Sequence, residues 1–198
     1  MHAFFIGILI VTSVVGVTFI IERGLALRWR KIIPPAVESA VESCRNPEAI
    51  PTLVQVCQQN PSPTSRLLLT AYHHLSWPRE DNVNALEIRA RHEVVGLERG
   101  LVILEIVVGI APLLGLVGTI YGLILIFGQL GEHGMGENTY LSEGIALALR
   151  ATLLGLLTAI PSLIAWSYYN KKVEVLTVEM ETLCDEFLRC HYRESKPR

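Results

Sequence analysis

The sequence predicts an all-α integral membrane protein with three transmembrane helices, the second and third extended into a cytoplasmic helical bundle. Three observations carry that prediction. Of 198 residues, 51% are apolar and 18% charged, against about 25% charged in an ordinary soluble domain. The stretches 3–21, 106–131 and 151–170 contain no charged side chain. Crossing a hydrocarbon core of about 30 Å takes ~20 helical residues, and a chain of this length cannot surround three such helices with a soluble core.

The first span, 1–22, has no basic leader and no small-residue cleavage pattern behind it, so an anchor is expected rather than a cleaved signal. Glu22, Arg23, Arg28, Arg30 and Lys31 follow directly. Basic residues mark the cytoplasmic side of a membrane protein. Residues 22–100 hold ten Lys and Arg, residues 171–198 hold six, and the loop 131–140 holds none. The predicted order is a periplasmic N-terminus, a cytoplasmic helical loop over 23–100, a second span over 101–131 and a short periplasmic loop over 132–140. A third span follows over 141–170, with Glu143 and Arg150 tolerated in it, and then a cytoplasmic helical tail over 171–198.

The near balance of 17 basic and 19 acidic residues gives no electrostatic reason to expect nucleic acid. Cys44, Cys57, Cys184 and Cys190 all fall in the predicted cytoplasmic segments, where thiols stay reduced. Their spacing does not fit a zinc site, and neither metal nor cofactor is expected. No nucleophile constellation or phosphate loop appears, and His73-His74 lies in an ordinary predicted helix, so no enzymatic activity is expected.

Within the cytoplasmic loop, prolines set the divisions. Pro34-Pro35 closes the first helical stretch. Short helices are predicted over 36–46 and 48–59, and a third over 65–76, capped by Ser62 or Thr64 and stopped at Trp77-Pro78. From Asp81 onward Val83, Leu86, Ala90, Val94, Leu97, Leu101 and Leu104 recur at intervals of three and four, with Glu87, Arg91, Glu98 and Arg99 on the other face. That periodicity predicts one long helix over 80–130. Beyond Asn170, the stripe Val173, Leu176, Met180, Leu183 and Phe187 extends the third helix and predicts packing against the 80–100 helix or a neighbouring subunit.

The second and third spans carry small residues at helical intervals. Ala111, Gly115, Gly118 and Gly122 share one face, and Gly144, Ala148, Ala151 and Gly155, continued by Ala159 and Ser162, share another. Such faces let membrane helices approach closely. Beside them stand Thr119 and Thr152. A hydroxyl in hydrocarbon bonds its own helix backbone, or two of them on neighbouring helices line a narrow polar path; both readings are open at this point. Pro112 and Pro161 each free a backbone carbonyl and are candidate kinks. The first span has no comparable face, and beyond Thr12, Ser13 and Thr18 nothing polar, so it is expected to face lipid.

This hairpin resembles a known family. The run APLLGLVGTIYG over 111–122 looks like the second-span signature of MotA/TolQ/ExbB proton-channel proteins, and GIALALRATLLGLLTAIP over 144–161 resembles their third-span signature. Ile21-Glu22-Arg23, the proline pair at 34–35 and the run 97–100 (LERG) fit the same pattern. Three spans rather than four place the chain on the TolQ/ExbB side. The resemblance implies a homopentamer around a single-span, ExbD- or TolR-like partner whose intramembrane aspartate carries the proton. It implies Thr119 and Thr152 as pore-lining residues. It also implies a bacterial inner-membrane motor coupled to a TonB- or TolA-like outer partner and energising biopolymer transport.

The residues themselves support one part of that picture. A proton path requires a titratable group within the membrane, and the charge-free cores of these spans offer none. Glu105 lies about 20 Å below Thr119 at the helical rise per residue, at the cytoplasmic mouth of the second span. The relay acid is therefore expected from another chain. Two departures stand out: relatives often carry glutamate where this chain has Leu147, and Arg150 follows nearly one turn later. Arg150 either snorkels to the outer interface, pairs with an acid of the partner, or serves another task. The competing function is a non-conducting helical scaffold whose small faces serve assembly alone.

Overall fold

The computed structural model describes residues 2–44, 47–133 and 138–192, and among these there are helices and no strand. The elements are α1 (His2–Ala26), α2 (Trp29–Ile32), α3 (Pro35–Ser43), a 3₁₀ turn (Pro47–Ala49), α4 (Ile50–Gln59), α5 (Pro63–His73), α6 (Arg79–Glu98), α7 (Leu101–His133) and α8 (Asn138–Tyr192). Three of them are long and apolar enough to cross a bilayer: α1 over Ile6–Ala26, α7 over Leu101–Gly128, and α8 from Gly144 onward. The chain is thus an all-α membrane protein whose last helix runs far beyond the length of a span. Residues 134–137 of the predicted loop 132–140, the tail residues 193–198 and the side chain of Leu147 lie outside the described residues.

The chain divides into two compact units, the first formed by 1–23 and 100–168, the second by 24–99 and 169–198. In the first, a narrow seam of Leu9, Leu104, Val107, Ala111, Ile126, Ala148, Ala151 and Ala159 is buried. Val11, Val14, Leu113, Phe127, Leu149 and Ile164 are exposed. An apolar exterior of that extent is tolerated only against lipid or another helix.

Two expectations are corrected here. The first span does not face lipid all round. Leu9 and Gly16, one heptad apart, are buried, and a Cβ on Gly16 would stand 3.1 Å from Ser162 Oγ and 3.3 Å from Val107 Cγ1. A single glycine, too little to form a visible small face, seats α1 against α7 and α8. The predicted helix 80–130 is interrupted at Arg99 and Gly100. Arg99 keeps helical dihedrals (φ −47°, ψ −37°), but the position a Cβ would take on buried Gly100 is filled by the Arg23 side chain. Glycine holds a helix poorly, and here it admits a long side chain from α1.

The second unit is built as its prolines direct. Pro35 and Pro63 occupy the first turns of α3 and α5, where a missing N–H costs nothing. Ser62 caps α5 by accepting from Ser65 N at 3.1 Å. Thr64, the other candidate cap, instead donates to the Ile32 carbonyl at 2.7 Å. α5 starts at Pro63, earlier than expected, because proline itself forms the first turn. The stripe Val173, Leu176, Met180, Leu183 and Phe187 is buried throughout, and Leu67, Leu68, Leu27, Ile32, Ile33 and Val37 are buried in the same unit.

Several polar groups in this core are tied individually, while Asn82 Oδ1 and the Nδ1 atoms of His74 and His191 are buried without a hydrogen-bond partner among the described residues. Asn82, with no exposed surface, donates through Nδ2 to the Ala71 carbonyl at 3.0 Å and to Tyr192 Oη at 3.2 Å. Tyr192 in turn donates to the Trp77 carbonyl at 2.8 Å. Glu93, a buried acid on α6 that periodicity did not single out, accepts from Arg66 Nε at 2.9 Å and meets Arg89 at 3.0 Å. Burial pushes its carboxyl up, but the bonds and charge of Arg66, aided by Arg89, outweigh this and hold it below the usual carboxylate range. All four cysteines are free thiols, and burial pushes Cys57 up to about 11.

Candidate functional site

The small residues of α7 and α8 meet in one antiparallel ladder. A Cβ placed on Gly122 would stand 3.0 Å from Ala148 Cβ, and one on Gly118 2.6 Å from Ala151 Cβ. On Gly115 it would meet the Ala151 carbonyl oxygen at 3.0 Å and Thr152 Cα at 3.1 Å. On Gly155 it would meet the Ala111 carbonyl oxygen at 2.6 Å and Gly115 Cα at 3.1 Å. Backbone therefore lies against backbone from Ala111 to Gly115, the closest approach two membrane helices make. The ladder extends to Gly144, where an added Cβ would run into the Ile126 side chain.

Thr152 sits beside this contact and is half-buried. Its Oγ1 reaches across to the Gly115 carbonyl of α7 at 3.4 Å, a long hydrogen bond. In regular helical geometry that carbonyl also receives the amide of Thr119, so one oxygen links the two candidate threonines. Thr119 itself turns its hydroxyl back onto its own helix, donating to the Leu116 carbonyl at 2.6 Å. Thr119 thus bonds its own helix backbone, whereas Thr152 bonds a carbonyl of the neighbouring helix.

Pro112 and Pro161 lie inside unbroken helices. Pro112 cannot bond the Val108 carbonyl, and Pro161 cannot bond that of Leu157. Further along α8, Thr158 Oγ1 donates to Leu154 O at 3.0 Å and Ser162 Oγ to Thr158 O at 2.8 Å. Ser162 is also the group that meets Gly16 of α1, so the third-span face serves two neighbours.

The charged candidates stand apart from the ladder. Arg150 and Glu105 are both exposed, and among the described residues neither has an ion pair. Arg150 precedes Ala151 by one residue, which on a helix turns it well away from the α7 contact. Among the described residues no group of three or more His, Cys, Asp or Glu stands close enough to hold a metal. Sequence reasoning missed Gly16 and Glu93, and also the contact between Arg23 and Gly100, two positions it had named only separately. Only Glu93 had a local signal, its spacing of four from Arg89.

Comparison with known proteins fits this geometry. Residues 59–182 match the MotA/TolQ/ExbB proton channel family, a stretch that contains the whole ladder. A biopolymer transport protein ExbB from Aquifex aeolicus is 38% identical over 95 residues, which cover 48% of this chain and 64% of that protein. A second ExbB, from Helicobacter pylori, is 37% identical over 97 residues, covering 49% of this chain and 62% of its own length. The Tol-Pal system protein TolQ of Pseudomonas aeruginosa is 28% identical over 193 residues, covering 90% of this chain and 82% of the relative. The match therefore spans somewhat less than two thirds of the ExbB relatives and most of TolQ. On the family match, which takes in the whole ladder and about half of the second unit, the chain belongs to the MotA/TolQ/ExbB proton channel family.

Proposed function

We propose that this chain is the channel-forming subunit of an inner-membrane motor of the ExbB/TolQ type, driven by the proton-motive force and energising transport across the outer envelope. The observation that carries the reading is the Thr152 hydroxyl on the Gly115 carbonyl, a polar link between the two spans in an otherwise apolar seam. Thr119 and Thr152 line the proton path with the carbonyls freed by Pro112 and Pro161. Because 106–131 and 151–170 contain no acid, the titrating group is an aspartate of a single-span, ExbD- or TolR-like partner. The chain forms a homopentamer around that partner and hands motion to a TonB- or TolA-like protein outside. The N-terminus is periplasmic and the tail cytoplasmic, an orientation that the distribution of basic residues favours. Arg150, exposed and turned from the ladder, is available to a carboxylate of the partner.

A second reading, a non-conducting scaffold, is favoured by one observation: Thr119 Oγ1 is satisfied within its own helix. The two readings separate on Thr152→Val. Under the motor reading, co-reconstituted vesicles lose proton flux while the assembly survives. Under the scaffold reading, no flux exists to lose, and only bulky replacements at Gly115 or Gly118 have consequences.

A further inference from the structure

We propose that Arg28, Trp29, Arg30 and Lys31 form a binding site for the headgroups of anionic phospholipids. The first candidate span, Ile6–Ala26, ends two residues before Arg28, so connectivity alone keeps this segment within reach of a membrane surface. Leu27, Ile32 and Ile33 are fully or almost fully buried and pin the segment at both ends. The Ile32 carbonyl is held by Thr64 at 2.7 Å, and the turn is closed by Lys31 N to Arg28 O at 2.9 Å and Ile33 N to Trp29 O at 2.8 Å. Between these anchors all four side chains are exposed, and Trp29 presents 38% of its surface.

Charge distinguishes this turn from most of its unit. Arg66, Arg79, Arg89, Arg91 and Arg189 each reach a carboxylate. Among the described residues, none of Arg28, Arg30 and Lys31 has an ion pair. Three uncompensated cations are therefore held by a turn that is hydrogen-bonded and anchored in the core. Guanidinium groups match phosphate oxygens in bidentate geometry, and an exposed indole prefers the headgroup layer of a bilayer. A phosphatidylglycerol headgroup supplies the anion, whereas a zwitterionic choline headgroup brings its own cation to the site. Each cation near an anionic surface favours binding by roughly fivefold, so three of them give a strong preference that salt weakens. The proposal needs the first span and this turn only, and stands or falls independently of ion conduction.

The test uses the full chain with Trp77→Phe and Trp166→Phe, which leaves Trp29 as the sole tryptophan. It is reconstituted in phosphatidylcholine vesicles carrying an equal, small mole fraction of either brominated phosphatidylglycerol or brominated phosphatidylcholine. Brominated phosphatidylglycerol quenches Trp29 fluorescence several-fold more strongly, and the difference disappears in the Arg28→Gln, Arg30→Gln, Lys31→Gln variant. Equal quenching by the two lipids, or a preference that survives neutralisation, overturns the proposal. Native mass spectrometry of the unmodified chain, released from mixed nanodiscs, gives a second readout. Fewer phosphatidylglycerol molecules retained on the triple variant supports the site, and equal numbers refute it.

Discussion

Gly155 presents its Cα so close to the Ala111 carbonyl that a methyl group added there would stand 2.6 Å from the oxygen. The obstacle is backbone on the facing helix, which cannot turn aside as a side chain can. Gly155→Ala is therefore expected to destabilise the α7–α8 hairpin by about 1–3 kcal/mol through overpacking. Gly109→Ala, where an added Cβ meets nothing within 4 Å, is expected to be neutral or slightly stabilising. Unfolding of both variants in mixed micelles, followed by helical circular dichroism, checks the contrast. Equal midpoints for the two would remove the ladder as the organising contact.

The hydrogen bond from Thr152 to Gly115 is long, at 3.4 Å, so its energetic weight is small. Thr152→Val is expected to cost about 1 kcal/mol or less in stability, the range found for polar contacts between membrane helices. Its effect on proton flux in vesicles is expected to be far larger, with Thr152→Ser retaining most of both. A flux loss that merely tracked the stability loss would mean that the hydroxyl has no role in conduction.

Gly16 makes a sharper statement about the first span. A leucine there must displace Ser162 and Val107, both within 3.3 Å of an added Cβ. Gly7, with nothing within 4 Å of its Cβ position, tolerates the same change. Cysteine crosslinking between α1 and α8, read on denaturing gels, should fail in Gly16→Leu and persist in Gly7→Leu.

These positions also mark how far the sequence could be read. The three spans were legible as charge-free runs of membrane-crossing length, and the α7–α8 small faces and the buried stripe from Val173 to Phe187 because each repeats at helical spacing. Contacts made by one residue escaped. Gly16 is a single small residue in an apolar helix, and its partner Ser162 was already assigned to another face. The interruption at Gly100 depends on an arginine remote in sequence, so the amphipathic pattern runs through it unbroken. The direction of each threonine hydroxyl was not legible either, since spacing puts Thr119 and Thr152 beside the ladder without fixing their rotamers.

Glu93 gives a prediction in pH. Its carboxyl lies below the usual range in the folded chain, so its ionised form stabilises the fold. That contribution is present above the pKa of an unfolded glutamate and is lost as pH falls through the lowered folded value. Glu93→Gln is expected to cost about 1–3 kcal/mol at neutral pH, with the charged hydrogen bonds to Arg66 and Arg89 weakened. The partly exposed arginines favour the lower end of that range. Thermal melts across the acid range should converge for wild type and variant at low pH. A constant offset between them would show that Glu93 acts through packing alone.

The central claim, that the α7–α8 hairpin conducts protons with an acid lent by a partner, is tested most directly by proton flux into vesicles. The chain is reconstituted with a single-span protein bearing a membrane aspartate, and an internal pH-sensitive dye reports entry under an imposed potential. Flux is predicted for the pair, none for either protein alone, and loss on Thr152→Val or on replacing the partner's aspartate by asparagine. Flux from this chain alone, or flux from the pair that is unchanged in both variants, would contradict the account.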